Sequence, residues 1–214
     1  MIMQESIPRR GVLRIGLGLG LGAIAATGLS GCTVLNSVNT PTPLYDLKPK
    51  VDLPAGLPKV PWQLVVDQPN ADADLNTSRI ALRRSGNVTE YFADAAWIDN
   101  VPNLVQSKLL EAFEQSNCVA VGRDIASLVP DYVLQVELRD FQAEYGGAVA
   151  GAHIRLTAKL VRMSDRKIVN TINAEQKAQS SGTDMPQVID AFQQALGPVL
   201  TQVVVGTLKA APAS

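Results

Sequence analysis

The stretch Tyr132-Val133-Leu134-Gln135-Val136-Glu137-Leu138-Arg139-Asp140-Phe141-Gln142-Ala143-Glu144-Tyr145 decides the fold. Its first half places Tyr132, Leu134, Val136 and Leu138 on even numbers, alternating with Val133, Gln135, Glu137 and Arg139. Its second half continues on odd numbers, with Phe141, Ala143 and Tyr145. A period of two marks a strand with one buried face. Switching parity without turning the strand over needs one extra residue, so a β-bulge is expected near Arg139-Asp140.

Two further strands follow. Gly146-Gly147 turns the chain into a run whose apolar face is Ile154, Leu156, Ala158 and Leu160. Ser164 to Arg166 turns it again, into a run carrying Ile168, Ile172 and Ala174. The three strands read as an antiparallel meander. Their other face is polar: Gln135, Glu137, Arg139, Arg155, Lys159, Asn173 and Glu175, with His153 among them. Antiparallel sheets alternate in this way when one face meets water or a polar partner.

Upstream, Trp62 to Asp67 alternates with Trp62, Leu64 and Val66 on one face. Arg79 to Arg84 and Val88 to Phe92 flank Ser85-Gly86-Asn87, a hairpin turn signal. A helix starts at Asp99-Asn100, with Pro102 in its first turn, where no N–H is missed. Val101, Leu104, Val105, Leu109, Ala112 and Phe113 form its apolar face, Lys108, Glu111 and Glu114 fall outside it, and it ends near Asn117. Cys118 to Val121 reads as a short buried strand. Downstream, Asp184 caps a last helix whose stripe is Met185, Val188, Ile189, Phe192, Leu196, Val199, Leu200 and Val203. Pro198 cannot donate to Gln194, so a kink or break is expected there. Residues 207–214 read as frayed, with the domain closing at 209 and a loose tail over 210–214. The fold class is α/β: a mixed, largely antiparallel sheet packed with two main amphipathic helices in a single domain, 62–209.

The amino end is of a different kind. Arg9, Arg10 and Arg14 precede eighteen uncharged residues, Ile15 to Cys32, as in a secretory signal. The run ends in Leu29-Ser30-Gly31-Cys32, which matches a lipobox. Small residues let a signal peptidase hold the extended backbone, and the thiol accepts a diacylglyceryl group. Residues 1–31 are therefore expected to be removed, leaving Cys32 as the acylated N-terminus. Six glycines in the run cost a membrane-spanning helix roughly 1 kcal/mol each. The Arg9-Arg10 pair fits a twin-arginine signal and a general secretory one equally. Residues 32–61 carry prolines at 41, 43, 49, 54, 58 and 61 and read as a semi-rigid tether with a docked strand near 43–48. Fully stretched, residues 33–61 would span on the order of 95 Å.

Little in the chain suggests chemistry. His153 is the only histidine, which excludes multi-histidine metal sites and HExxH. There is no G-x-S-x-G elbow and no phosphate loop. No catalytic residue, metal or cofactor is expected. With Cys32 acylated, Cys118 has no disulfide partner and reads as a buried structural thiol; a Cys118–His153 dyad is the weaker reading. Asp72 and Asp74 read as a solvated loop rather than a calcium loop. Arg79, Arg83 and Arg84 could bind phosphate, but read better as a charged edge that discourages aggregation. Beyond residue 31 the chain holds 16 basic and 19 acidic residues, too acidic for a nucleic-acid binder.

Several segments together resemble a known family. They are Pro43-Leu44-Tyr45-Asp46-Leu47, Arg79-Ile80, Tyr91-Phe92-Ala93-Asp94-Ala95-Ala96-Trp97 running into Val101-Pro102-Asn103-Leu104-Val105, Gln115 to Gly122, and Asp131 to Val136. Their order resembles the ABC-type transport auxiliary lipoproteins, which include the paraquat-inducible C lipoprotein. The resemblance implies a partner of MCE (mammalian cell entry)-type intermembrane lipid transport, anchoring or receiving the MCE tunnel at the outer membrane. Thr33, where inner-membrane lipoproteins commonly carry aspartate, agrees. The resemblance marks Tyr45, Tyr91, Trp97 and Pro102 as pattern residues, fold-defining rather than catalytic. It also implies a fold akin to the N-terminal domain of the Tol-Pal propeller protein, with helices on both sides of the sheet; the strand alternation implies one bare side. A homo-oligomer is allowed. The alternative function is a stand-alone periplasmic lipoprotein that binds lipid or glycan, which would need an apolar groove.

Overall fold

The computed structural model describes residues 41–84, 88–123, 129–145 and 150–210; the signal, lipobox and Cys32 lie outside them, as do the turns at 85–87 and 146–147. In chain order the elements are β1 (Leu44–Tyr45), β2 (Gln63–Val66), β3 (Asn70–Ala71), β4 (Arg79–Arg83), β5 (Glu90–Trp97), α1 (Val101–Ser116), β6 (Ala120–Gly122), β7 (Tyr132–Tyr145), β8 (Ala150–Arg162), β9 (Lys167–Gln179) and α2 (Met185–Ala210).

The strand that opened the sequence reading is the spine. β7 pairs antiparallel with β8 along one edge, and β8 with β9. Along its other edge β7 takes three short parallel strands in turn: β2 at residues 132–134, β3 at 137–138 and β4 at 142–144. β6 lies outside β2, while β5 and then β1 lie outside β4. The bulge falls at Arg139: Leu138 opposes Leu156, and Asp140 opposes Arg155. A second irregularity, not foreseen, lies across from Val161. Leu160 opposes Asn170 but Val161 opposes Ile168. The extra residue, Val169, turns Ile168 away from the core face expected of it, and Ile168 is largely exposed.

Both helices cover the same face. α2 lies on β8 and β9, α1 on β2 and β6, and the helices touch each other. One apolar core joins them to Leu64, Leu134, Val136, Phe141, Ile154 and Leu156. At its centre Trp97 meets Phe141 and Phe192 edge-on, with centroids 5.7 and 5.0 Å apart. Among the described residues no helix covers the opposite face, so the second helix layer implied by the resemblance is absent.

Four local expectations need correcting. Residues 118–121 are not a buried strand: the strand is Ala120–Gly122, half-exposed because it is an outer strand with β2 alone beside it. Arg79 and Arg83 are not on a sheet edge, since β4 lies between β5 and β7. α2 runs unbroken through Pro198; Gln194 and Pro198 are both exposed, so water can take up the carbonyl that proline leaves unpaired. Its last turn is packed rather than frayed, with Thr207 and Leu208 fully buried.

The proline-rich segment is also more than a tether with one docked strand. Residues 46–60 form a strap against the helices. The Lys48 N–H donates to Gln193 Oε1 and Thr201 Oγ1 donates to the Asp52 carbonyl, both on α2; Gln115 Nε2 of α1 donates to the Val51 carbonyl. An extended chain rises ~6.5 Å per two residues and a helix ~6 Å per four, so the strap keeps step with α2. Leu47 is fully buried and Val51, Leu53, Leu57 and Val60 pack on the core. Lys108 of α1, expected outside the apolar face, is buried under the strap and paired with Asp46 and Glu111, each at 3.3 Å. The prolines hold the strap extended before docking, which lowers the entropy that docking costs.

Candidate docking face

The uncovered sheet face is built by strand parity. Before the bulge the polar residues pointing away from the helices are Gln135, Glu137 and Arg139; after it they are Asp140, Gln142 and Glu144. Register carries the same face onto His153, Arg155, Thr157 and Lys159 of β8, onto Asn173, Glu175 and Lys177 of β9, and onto Arg83 of β4. Alternation in the sequence marks seven of these and His153, but not Asp140, Gln142, Glu144, Thr157, Lys177 or Arg83. The signal was present, since whatever alternates with Phe141 and Ala143 must face outward.

Asp140 is the brace of this face. It is 3% exposed, and it accepts from Arg83 Nη1 at 3.0 Å, from Arg155 Nε, and from Gln142 Nε2 at 3.1 Å. Burial alone would raise its carboxyl; hydrogen bonds from Arg155 and Gln142, with the charges of Arg155 and His153, reverse that and hold it below the ordinary range. His153 forms a second knot. Its Nδ1 lies 2.7 Å from Glu144 and its Nε2 2.7 Å from Glu175. A neutral ring has one N–H, so the second contact needs another proton, on the ring or on a carboxyl. Glu144 also accepts from Lys177 at 2.8 Å. Burial would raise Glu144 too, and the hydrogen bonds from Lys177 and His153 bring it down.

The linkage has a definite sign. Both carboxyls titrate lower in the folded chain than in the unfolded one, so their contribution is complete above the ordinary values of 3.8 and 4.5 and is lost as pH falls through the folded values. The melting temperature should hold from neutrality to about pH 5 and then fall, and Asp140→Asn should show a shallower acid slope. Scanning calorimetry across that range checks both.

The pattern residues sit at packing positions. Tyr45 is the register partner of Trp97. Pro102 is buried at the start of α1, and the Val101 N–H donates to the Thr77 carbonyl. Tyr91 is on the open face; its ring carries the Arg79 guanidinium at 3.7 Å and its hydroxyl donates to the Asp74 carbonyl. The Cys118–His153 dyad does not form: Cys118 Sγ contacts the Ser116 and Leu57 carbonyls, far along the chain from the ring's carboxylate partners. Asp74 Oδ2 accepts from Thr89, and among the described residues no cluster of three or more metal-ligating side chains occurs. On the helix side, an apolar groove of about 630 Å³ runs between the strap, β9 and α2, lined by Pro54, Ile172, Pro198, Gln202 and Val205 among others.

Residues 45–204 match the profile of the ABC-type transport auxiliary lipoprotein component family. The chain belongs to that family. Members of that family are lipoprotein components auxiliary to ABC-type transport. The crystal structure of protein XCC0632 from Xanthomonas campestris is similar over 78% of this chain and 96% of that one, with 30% identity and a TM-score of 0.73. A second crystal structure shares the fold at 14% identity and a TM-score of 0.56, over 73% of this chain and 97% of that one. Protein bll6063 of Bradyrhizobium diazoefficiens is 25% identical over 167 residues, 78% of this chain; the chain spans about half that relative's length, 45%.

Proposed function

We propose that this family member is held at the outer membrane by acyl chains on Cys32 and docks the MCE-type subunit of an ABC lipid transporter through its open sheet face. The observation that carries docking is that face: long strands with no helix over them among the described residues, whose polar side chains are braced by a buried aspartate. Membership in the transport auxiliary family and the lipobox Leu29-Ser30-Gly31-Cys32 support the anchor. The strap supports a close anchor. With residues 44 onward packed, only residues 33–43 separate Cys32 from the domain, a span of at most ~40 Å rather than ~95 Å. Two or three acyl chains at ~0.8 kcal/mol per methylene hold a protein stably on a bilayer.

Two measurements test this. Cys32→Ser should move the protein from the membrane pellet to the soluble periplasmic fraction; continued sedimentation with membranes would remove the anchor. A photo-crosslinker in place of Thr157, at the centre of the open face, should capture the MCE subunit in intact cells. Absence of that adduct would count directly against docking by this face.

The groove favours a second reading, a lipoprotein that binds a lipid on its own. Mass spectrometry of organic extracts of the purified protein decides between them: a stoichiometric phospholipid supports the second reading, and an empty extract the first.

A further inference from the structure

We infer that the free edge of β9, at residues 171–175, takes an extended segment of a partner protein as an added strand, whose alternate apolar side chains enter the groove beside α2. This site goes beyond docking through the open face and does not rest on it.

β9 is 13 residues long, and among the described residues only β8 pairs with it. Its register shows which backbone groups are spare. The Ser180 N–H donates to the Ala150 carbonyl, and Gly151 opposes Gln179, so Ala150 and Ser180 form a hydrogen-bonded pair. Such pairs alternate along an antiparallel ladder, so Ala178, Gln176, Ala174 and Ile172 turn their backbone groups to β8. Thr171, Asn173, Glu175 and Lys177 turn theirs outward. Two side chains agree. Gln202 Nε2 donates to the Asn173 carbonyl at 3.0 Å and Gln176 Nε2 to the Lys177 carbonyl at 3.2 Å, and both carbonyls must face away from β8 to accept them.

The edge is guarded at its ends. Val169 is the extra residue of a bulge, and Glu175 and Lys177 are charged, two devices that deter strand pairing. Thr171 to Ala174 carry neither charge nor proline. The groove lies against this same unguarded stretch. Thr171, Ile172 and Asn173 line one side of it; Pro198, Gln202 and Val205, on one face of α2, line another. α2 packs on β8 and β9, so a further strand would lie about 4.8 Å beyond β9 with every second side chain turned toward the flank of α2. At about 630 Å³ the groove has room for more than one such side chain.

Spare N–H and carbonyl groups in a row select another backbone, and the groove selects apolar side chains at alternate positions. Together they describe a strand rather than a lipid or a free anion. A second copy of this chain is the poorer match. Its β9 has Ile172 and Ala174 already buried under its own α2, so that strand has no large apolar side chain left to place in a neighbour's groove.

The test uses the full-length acylated protein in lipid nanodiscs and, as probe, a fluorescent peptide that alternates valine and threonine between terminal lysines. Anisotropy should report saturable binding. Asn173→Pro removes an outward N–H and no bond to β8, a place where strand proline is tolerated. It should bind about tenfold more weakly, as expected when one backbone carbonyl of the probe goes unmet. Val205→Lys, on the half-exposed flank of α2, should weaken binding by a similar factor, and Val88→Lys, exposed elsewhere, should leave it unchanged. Hydrogen exchange should find the Thr171 and Asn173 amides fast in the free protein and slowed by the peptide, with those of Ile172 and Ala174 slow in both. Absence of binding, or binding that neither site variant weakens, overturns the inference. So do edge amides already protected in a peptide-free dimer, which would give the edge to a second copy. Displacement of the peptide by a phospholipid recovered from the purified protein also overturns it, giving the groove to lipid.

Discussion

Gly197→Val should lift the strap from the helices and cost about 3 kcal/mol of stability. A side chain at 197 would place its Cβ 2.2 Å from the Lys50 carbonyl oxygen and 3.1 Å from the carbonyl carbon. Both are backbone atoms, so a rotamer change cannot relieve the clash. Helix propensity argues the other way, since replacing a mid-helix glycine by alanine gains about 1 kcal/mol. The steric term wins because neither side can yield cheaply. α2 is fixed on β8 and β9, and the strap can move only by giving up its bonds to Gln193 and Thr201 and the burial of Leu47. Burial of Leu47 alone is worth about 2 kcal/mol. Urea unfolding should show the lower midpoint, and trypsin should cut faster after Lys50 and Lys59. Pro198→Ala, one residue on and exposed, should instead raise the midpoint by restoring a helix hydrogen bond. A Gly197→Val protein with unchanged midpoint and unchanged cleavage would show that the strap does not need this seat.

That Leu196-Gly197-Pro198-Val199 run shows where sequence reading stopped. Two poor helix formers stand side by side in the middle of an apolar stripe. Read along the helix alone, they suggest a kink. Read across the fold, the glycine is a groove for another piece of backbone, a contact 147 residues away in the chain that no local pattern encodes. The strap was under-read for a related reason. Its apolar residues, Leu47, Val51, Leu53, Leu57 and Val60, are spaced by prolines and follow neither period, so composition suggested a tether. The meander, by contrast, was legible down to the bulge at Arg139, because period two over fourteen residues leaves one register that buries the apolar set. The slip at Val169 was hidden, since Ile168, Ile172 and Ala174 share a parity and gave no sign of an inserted residue. Of the open face, alternation revealed the side chains that point outward. It could not reveal that Asp140 takes Arg83 from a strand 57 positions away, because parallel pairing of β4 with β7 leaves no sequence trace.

Trp97 is where the strap, the sheet and α2 converge, and its two substitutions should differ sharply. Trp97→Ala removes a ring that is 1% exposed and that meets Phe141 and Phe192. Such a truncation costs about 4 kcal/mol, the transfer of the ring plus the cavity it leaves. Trp97→Phe keeps an aromatic against both neighbours and leaves a smaller void, worth about 1 kcal/mol. It also removes a liability. Among the described residues the indole Nε1 has no hydrogen-bond partner although it is buried. An unsatisfied buried donor costs about 1–3 kcal/mol, so its removal offsets the void and the phenylalanine protein should unfold within about 1 kcal/mol of the original. Guanidinium titrations of the three proteins make the comparison. Phenylalanine costing as much as alanine would mean that the N–H is satisfied and that the indole edge itself closes the core. The alanine variant has a second consequence. Tyr45 of β1 pairs with Trp97, and the Ile98 N–H donates to the Tyr45 carbonyl, so loosening this corner frees the strand at which the strap enters the fold. Protease sensitivity at Lys50 should therefore rise in Trp97→Ala but not in Trp97→Phe, linking core packing to the seating of the strap.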